Sequence, residues 1–224
     1  MPPPLETELK AILDACRQAQ VPVFVVGAFS VRAYDCLQRI SQDLDLAVSA
    51  EYWPTLKQIL IDQGYSVVAT EELWITAIKT IAEDLIEINV ALNGVTDLDS
   101  ASTFPIIHRN PKLLQPSDLD FPLPVLPLEG IFITKLIAQR DKDVADLLSI
   151  LLLRPDSLDP QRFWHEADES GLTSKLPARL AELAERIRGG EAMSIWYERT
   201  GLILSDAETQ SSVAQLHRLQ QARP

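Results

Sequence analysis

Between residues 5 and 19 apolar side chains recur every three or four positions. Leu9, Ile12, Leu13 and Cys16 share a face, so the chain is expected to open with an amphipathic helix. The pattern then changes. Val21, Val23, Phe24, Val25 and Val26 form a short β-branched run that stops at Gly27, the mark of a buried strand followed by a tight turn. Helical spacing returns over 28–37, and residues 39–48 read as a second buried strand interrupted by Asp43 and Asp45. A helix is expected over 52–63, with Leu56, Ile59 and Leu60 on one face. Three strands follow, over 65–69, 74–78 and 85–91, in a meander. Prolines crowd 105–127, and beyond them helical spacing persists over 128–139, 144–153, 161–170, 174–188, 191–199 and 205–219. The order predicts an α+β protein: a small mixed sheet with packed helices over residues 1–120, then an all-helical region over 121–224.

The two acids in the second strand are the chemical anomaly of this pattern. Strand side chains alternate faces, so Asp43 and Asp45 point one way while Leu44 and Leu46 point the other. Like charges side by side destabilise a strand unless a cation lies between them or both reach water. The cation that suits them is Mg²⁺, or Mn²⁺, a hard ion bound by one or two carboxylates together with substrate phosphates. A solvated strand end is the plainer alternative. What favours the metal is the preceding order of strand, glycine and helix, because the first N–H groups of a helix opening beside the acids suit a phosphate.

At these residues the chain resembles the polymerase β-like nucleotidyltransferases. Val26, Gly27 and Ala28, followed by Arg39, Ile40, Ser41, Gln42, Asp43, Leu44, Asp45 and Leu46, are similar to that family's strand, small-residue turn, helix and Asp-x-Asp signature. Ala28 stands where the family has glycine or serine, and Ile40 separates the arginine from the serine. A second stretch, with Lys135, Ala138, Arg140, Lys142, Asp143, Asp146 and Leu147, resembles a motif of the AbiEii-like subgroup, which contains abortive-infection type IV toxins.

The resemblance implies transfer of a nucleoside monophosphate from an NTP to a hydroxyl. Asp43 and Asp45 would hold two Mg²⁺ ions about 4 Å apart. Gly27, Ala28, Ser30, Arg39 and Ser41 would contact the nucleotide, together with Lys135, Arg140 and Asp146. It also implies a third carboxylate on a neighbouring strand, which would complete the metal site or act as base toward the acceptor and for which Glu87 is the candidate and Asp84 a weaker one. Glu87 and Asn89 could equally be the wet face of an edge strand. Lys135, on an otherwise apolar helix, needs an anionic partner: a nucleotide triphosphate, or Asp143 or Asp146 in a structural ion pair. The acceptor stays open among an RNA end, a protein and a small molecule, and a toxin-like role is one implication.

Composition narrows this further. A net charge of −12 disfavours long nucleic acid as partner unless the few basic residues cluster, and leaves a small cationic metabolite as one option. With 46% hydrophobic residues, but no apolar run long enough to span a bilayer and no signal-peptide pattern, a cytoplasmic protein without membrane association is expected. The two cysteines lack metal-ligand spacing, and the three histidines suggest neither a metal nor a nucleophilic site. Two other classes stay alive: a catalytically degenerate nucleotide-binding or partner-binding module of the same fold, and a glycosyltransferase using Asp-x-Asp. The doubly wound sheet of the latter fits the meander poorly.

Overall fold

In a computed structural model of the chain, residues 4–36, 41, 43–70, 74–97, 101–153 and 158–223 are described. They form two compact units. The first comprises Met1–Ala33, Ile40–Thr96 and Pro105–Leu126; the second comprises Tyr34–Arg39, Asp97–Phe104 and Pro127–Pro224. The fold is α+β, with a small mixed sheet in the first unit and helices dominating the second.

The first unit is built on a five-stranded sheet of β1 (Val23–Val25), β2 (Asp43–Val48), β3 (Ser66–Thr70), β4 (Trp74–Ile81) and β5 (Asp84–Leu92), in the order β1-β2-β5-β4-β3. Strands β3, β4 and β5 do form an antiparallel meander, but β5 then lies parallel to β2. That places β5 in the middle of the sheet, so Glu87 and Asn89 do not belong to an edge strand. The register sets the faces. Leu44 pairs with Ile88 and Leu46 with Val90, while Ile88 and Val90 pair across β4 with Ala77 and Ile75. All six are buried to 1% exposure or less. Each large side chain so buried contributes about 1.5–3 kcal/mol relative to exposure.

Helix α1 (Pro4–Gln18) packs against β2 and against α3 (Trp53–Asp62), burying Leu9, Ile12, Leu13 and Cys16 as their spacing predicts. Among these apolar groups Glu8 is kept by two partners. The Tyr65 hydroxyl donates to Glu8 Oε2 at 2.8 Å, and Lys79 Nζ does so at 2.8 Å while its ammonium lies over the Tyr65 ring. Burial, with the Glu8 carboxylate beside it, pushes the Tyr65 phenol above its ordinary range. Helix α2 (Gly27–Arg32) is shorter than the expected 28–37: it ends at Arg32, and Asp35 adopts a positive φ of 54°. Arg32 joins α1 and α2 to the turn near residue 118, through Glu6 at 2.7 Å and Asp118 at 2.9 Å.

The proline-rich stretch carries structure that periodicity did not predict. Short strands β6 (Gly94–Asp97) and β7 (Ser102–Pro105) precede a hairpin of β8 (Lys112–Leu114) with β9 (Leu123–Val125), which packs beside β1. Strands of three or four residues give too few positions for an alternation to register.

The second unit contains α4 (Leu128–Ala138), α5 (Asp141–Leu153), α6 (Pro160–Glu169), α7 (Leu176–Arg188), α8 (Glu191–Thr200) and α9 (Asp206–Gln221). These match the predicted helices to within a few residues. Asp159 caps α6 by accepting from two backbone N–H groups, and Ser205 with Glu208 forms a capping box on α9. Phe132, Phe163 and Trp164 stack edge to face at the core, with centroids 6.2 and 5.1 Å apart, and Trp164 Nε1 donates to the Leu219 carbonyl. Among the described residues no helix is long and apolar enough to cross a membrane.

Candidate functional site

The face of the five-stranded sheet opposite Leu44 and Leu46 is polar. Reading across β2, β5 and β4, one row holds Asp43, Glu87 and Ile78, and the next holds Asp45, Asn89 and Thr76. Side chains of one row point to one side of the sheet, so Asp43, Asp45 and Glu87 share a face, and Glu87 is the direct neighbour of Asp43. All three are partly exposed, as is Asn89. Asp84 has the opposite parity on β5, which sets it against the other face and removes it as a third acid.

Each acid on this face has a local support. The Ser41 hydroxyl donates to Asp43 Oδ1 at 2.9 Å. Asn89 Nδ2 donates to Glu87 Oε1 at 3.1 Å, while Asn89 Oδ1 accepts from the Thr76 hydroxyl at 3.1 Å. Asp45 lies against the backbone of Gly27. A Cβ built on that glycine would stand 2.0 Å from Asp45 Oδ2, and Gly27 itself has φ +64°. Both facts require glycine here, one for space and one for the left-handed conformation. The Val26 N–H donates to the Asp45 carbonyl at 2.9 Å, so the turn into α2 is tied to β2 at the same residue as the carboxylate.

The fit to a divalent cation rests on the donor set. Asp43 and Asp45 offer hard carboxylate oxygens on one face, the type Mg²⁺ and Mn²⁺ take when phosphates fill the remaining positions. Among the described residues no three His, Cys, Asp or Glu side chains converge tightly enough to hold a metal by themselves. Glu87 therefore stands beside the pair with one oxygen engaged by Asn89, and an ion held here would need ligands from substrate.

Other residues singled out from the sequence fall elsewhere. The Ser30 hydroxyl is 2% exposed and donates to the Gly27 carbonyl at 2.8 Å. It closes the first turn of α2 and is not presented to a phosphate, a correction to its expected role. Ala28 is partly exposed at the second position of that helix, whose six residues make it a short dipole. Arg39 lies outside the described residues.

Lys135, Arg140, Asp143 and Asp146 are brought together in the second unit. The Lys135 ammonium, 5% exposed, lies 2.7 Å from Asp146 Oδ2 and 3.2 Å from Asp143 Oδ1, and Arg140 Nε donates to Asp143 Oδ2 at 2.7 Å. Burial alone would raise the Asp143 carboxyl, but Lys135 and Arg140 outweigh it and hold it below its ordinary value. The anionic partner that Lys135 demands is thus supplied by α5, and the need for a triphosphate lapses. The turn between the helices is clamped as well: Arg186 donates to the Gln139 carbonyl at 2.8 Å and reaches Asp141 at 3.2 Å and Glu191 at 2.7 Å.

Sequence reasoning missed Thr76 as a member of the polar face and gave Asn89 no role at the site. The alternation of β5 did put Asn89 beside Glu87, but nothing local links Thr76 to either until β4 is paired with β5.

Residues 8–102, under half of the chain, match a family model described as aminoglycoside-2''-adenylyltransferase, and the span contains Gly27, Asp43, Asp45 and Glu87. Among solved structures the chain is similar to the antibiotic-resistance factor ANT(2'')-Ia. In solution that structure shows 16% identity, 83% of this chain and 94% of that one covered, and a TM-score of 0.43. The crystal structure of ANT(2'')-Ia in complex with adenylyl-2''-tobramycin gives 16% identity, 81% and 97% coverage, and 0.43. The lincosamide antibiotic adenylyltransferase LnuA, lincomycin-bound, gives 20%, 57% and 84%, and 0.39. At such scores the overlap in coordinates carries no weight of its own. No curated protein matches the chain. The amino-terminal part is thus similar to an adenylyltransferase family model, a likeness that does not extend to showing the AbiEii-like subgroup.

Proposed function

We propose that the protein is a nucleotidyltransferase that moves a nucleoside monophosphate from an NTP onto a hydroxyl of a small cationic acceptor. The observation that carries this reading is the pair Asp43 and Asp45 on one sheet face, with Glu87 in register beside Asp43 and a glycine turn pressed against Asp45. Support for a small cation as acceptor comes from the charge of −12 and from the match of residues 8–102 to an aminoglycoside adenylyltransferase model.

In this reading residues 1–120 carry the chemistry and 121–224 form a helical support. Asp43 and Asp45 would hold Mg²⁺ or Mn²⁺, which would neutralise triphosphate charge and make the acceptor hydroxyl more acidic. Ser41 holds one oxygen of Asp43 in place, and Gly27 with Ala28 would leave room for a phosphate beside Asp45. Glu87 takes the proton of the acceptor hydroxyl as its oxygen bonds to the α-phosphorus; the bond to pyrophosphate breaks and pyrophosphate leaves. Arg39 is assigned to the nucleotide phosphates by resemblance alone. Lys135, Arg140 and Asp146 act by fixing α4 to α5.

The test is transfer of label from each α-labelled NTP, with Mg²⁺, to tobramycin, to lincomycin, and to the RNA, protein and small-molecule fractions of a cell extract, alongside Asp45→Asn. Label in a small molecule with the native chain only is the expected result. Label on RNA or protein would favour the toxin-like, AbiEii-like role. No transfer, with nucleotide still bound, would overturn the enzyme in favour of the degenerate binding module.

A further inference from the structure

Glutamate has one more rotatable bond than aspartate, so a glutamate doing a positioned carboxylate's work must be held. On β5 the side chain two residues along holds it. Thr76, Asn89 and Glu87 form a chain of two hydrogen bonds, each 3.1 Å, across β4 and β5 on the face that carries Asp43 and Asp45. The chain has one sense. An ionised carboxylate only accepts, so the Asn89 NH₂ group must face Glu87; its carbonyl oxygen then faces Thr76, whose hydroxyl donates. The carboxylate thereby sets which way the amide points, the Thr76 hydroxyl anchors the far end of that amide, and the amide holds one oxygen of Glu87. Thr76 is β-branched and sits on a paired strand, which restricts its own rotation.

We infer that Asn89 is the positioning residue of Glu87 and that Thr76 fixes the Asn89 amide, so that the second oxygen of Glu87 is the one presented to the acceptor hydroxyl. This rests on the nucleotidyl-transfer reading above, with Glu87 as the group that takes the proton. Asn89 is the cross-strand neighbour of Asp45, whereas Thr76 lies one strand further away, so the substitutions are made at Thr76.

The experiment has two arms, both on the full chain. The first follows the Asn89 side-chain amide protons by ¹⁵N-resolved NMR in the native protein, Thr76→Val and Thr76→Ser. Valine keeps the shape and removes the hydroxyl, and serine keeps the hydroxyl. A shifted, exchange-protected amide proton is expected in the native and Thr76→Ser proteins, with about tenfold faster exchange in Thr76→Val at an unchanged thermal midpoint. An Asn89 amide that exchanges as fast in the native protein as in Thr76→Val overturns the inference, whether or not the protein turns over.

The second arm measures transfer from α-labelled ATP to tobramycin. Thr76→Val is expected to lower kcat about fivefold, the scale of one net hydrogen bond, with KM for ATP unchanged and Thr76→Ser restoring the rate. In a Glu87→Gln background Thr76→Val should have no further effect. A native rate in Thr76→Val, or effects that multiply, would overturn the inference and leave the proposed activity standing. If the native protein transfers nothing to any acceptor, the activity falls and the amide arm alone decides.

Discussion

Asp45 and Gly27 show how closely one residue's chemistry depends on another's absence of a side chain. Because a Cβ at Gly27 would stand 2.0 Å from Asp45 Oδ2, and the backbone there has φ +64°, Gly27→Ala is expected to cost about 1–2 kcal/mol from the backbone alone and to displace the carboxylate as well. Denaturant titration would read the first effect and label transfer the second, and a fully active Gly27→Ala protein would contradict the placement of Asp45. Asp43→Asn and Asp45→Asn remove charge without changing shape, so each should lower transfer at least about 10²–10³-fold at an unchanged thermal midpoint. Much of this was readable in the residues: a glycine ending an apolar run and two aspartates at strand spacing are local signals. Ser30 was not, because a buried hydroxyl closing its own helix turn and an exposed one awaiting a phosphate have the same sequence. Only the 2.8 Å bond to the Gly27 carbonyl tells them apart.

At the scale of elements, α4 and α5 are joined by charges that neither could bury alone. Lys135 and Asp143 have side-chain exposures of 6% and 1%, so Lys135→Met should leave two carboxylates without their ammonium and cost about 3–5 kcal/mol in a denaturant titration. Asp143 also gives a pH signature. Its folded-state value lies below the ordinary 3.8, so the stability it contributes is complete above that value and is lost as pH falls through the folded one. The thermal midpoint of the native protein should drop more steeply below about pH 4 than that of Asp143→Asn, and parallel curves would contradict the pairing. The sequence showed that Lys135 required an anion but left two sources open, since the i to i+8 contact with Asp143 exists only after α5 folds back on α4. Helices of ten or more residues were legible from their spacing; the three-residue strands β8 and β9 were too short for any period to appear.

For the molecule as a whole, the acidic balance offers a test of the proposed cationic acceptor. With a net charge of −12, a cationic acceptor is drawn in by a field that salt screens, so KM for tobramycin should rise severalfold between about 0.05 and 0.5 M NaCl while KM for the neutralised Mg²⁺–nucleotide changes far less. An acceptor KM that is flat in salt would argue for an uncharged acceptor. The burial of Cys16 offers a control for folding in all these variants. Its thiol is pushed up to about 12 by burial, so alkylation at Cys16, read apart from the second free cysteine Cys36, should report unfolding at neutral pH.

The parallel pairing of β2 with β5 has a consequence for how the protein is made. Asp43 leaves the ribosome before its neighbour Glu87, and the chain between them runs through α3, β3 and β4 before β5 exists to lie beside β2. Such long-range closure is slow. A growing polypeptide therefore carries its two aspartates before their neighbouring glutamate has been made, and the three carboxylates meet only in a chain whose β2 and β5 have paired.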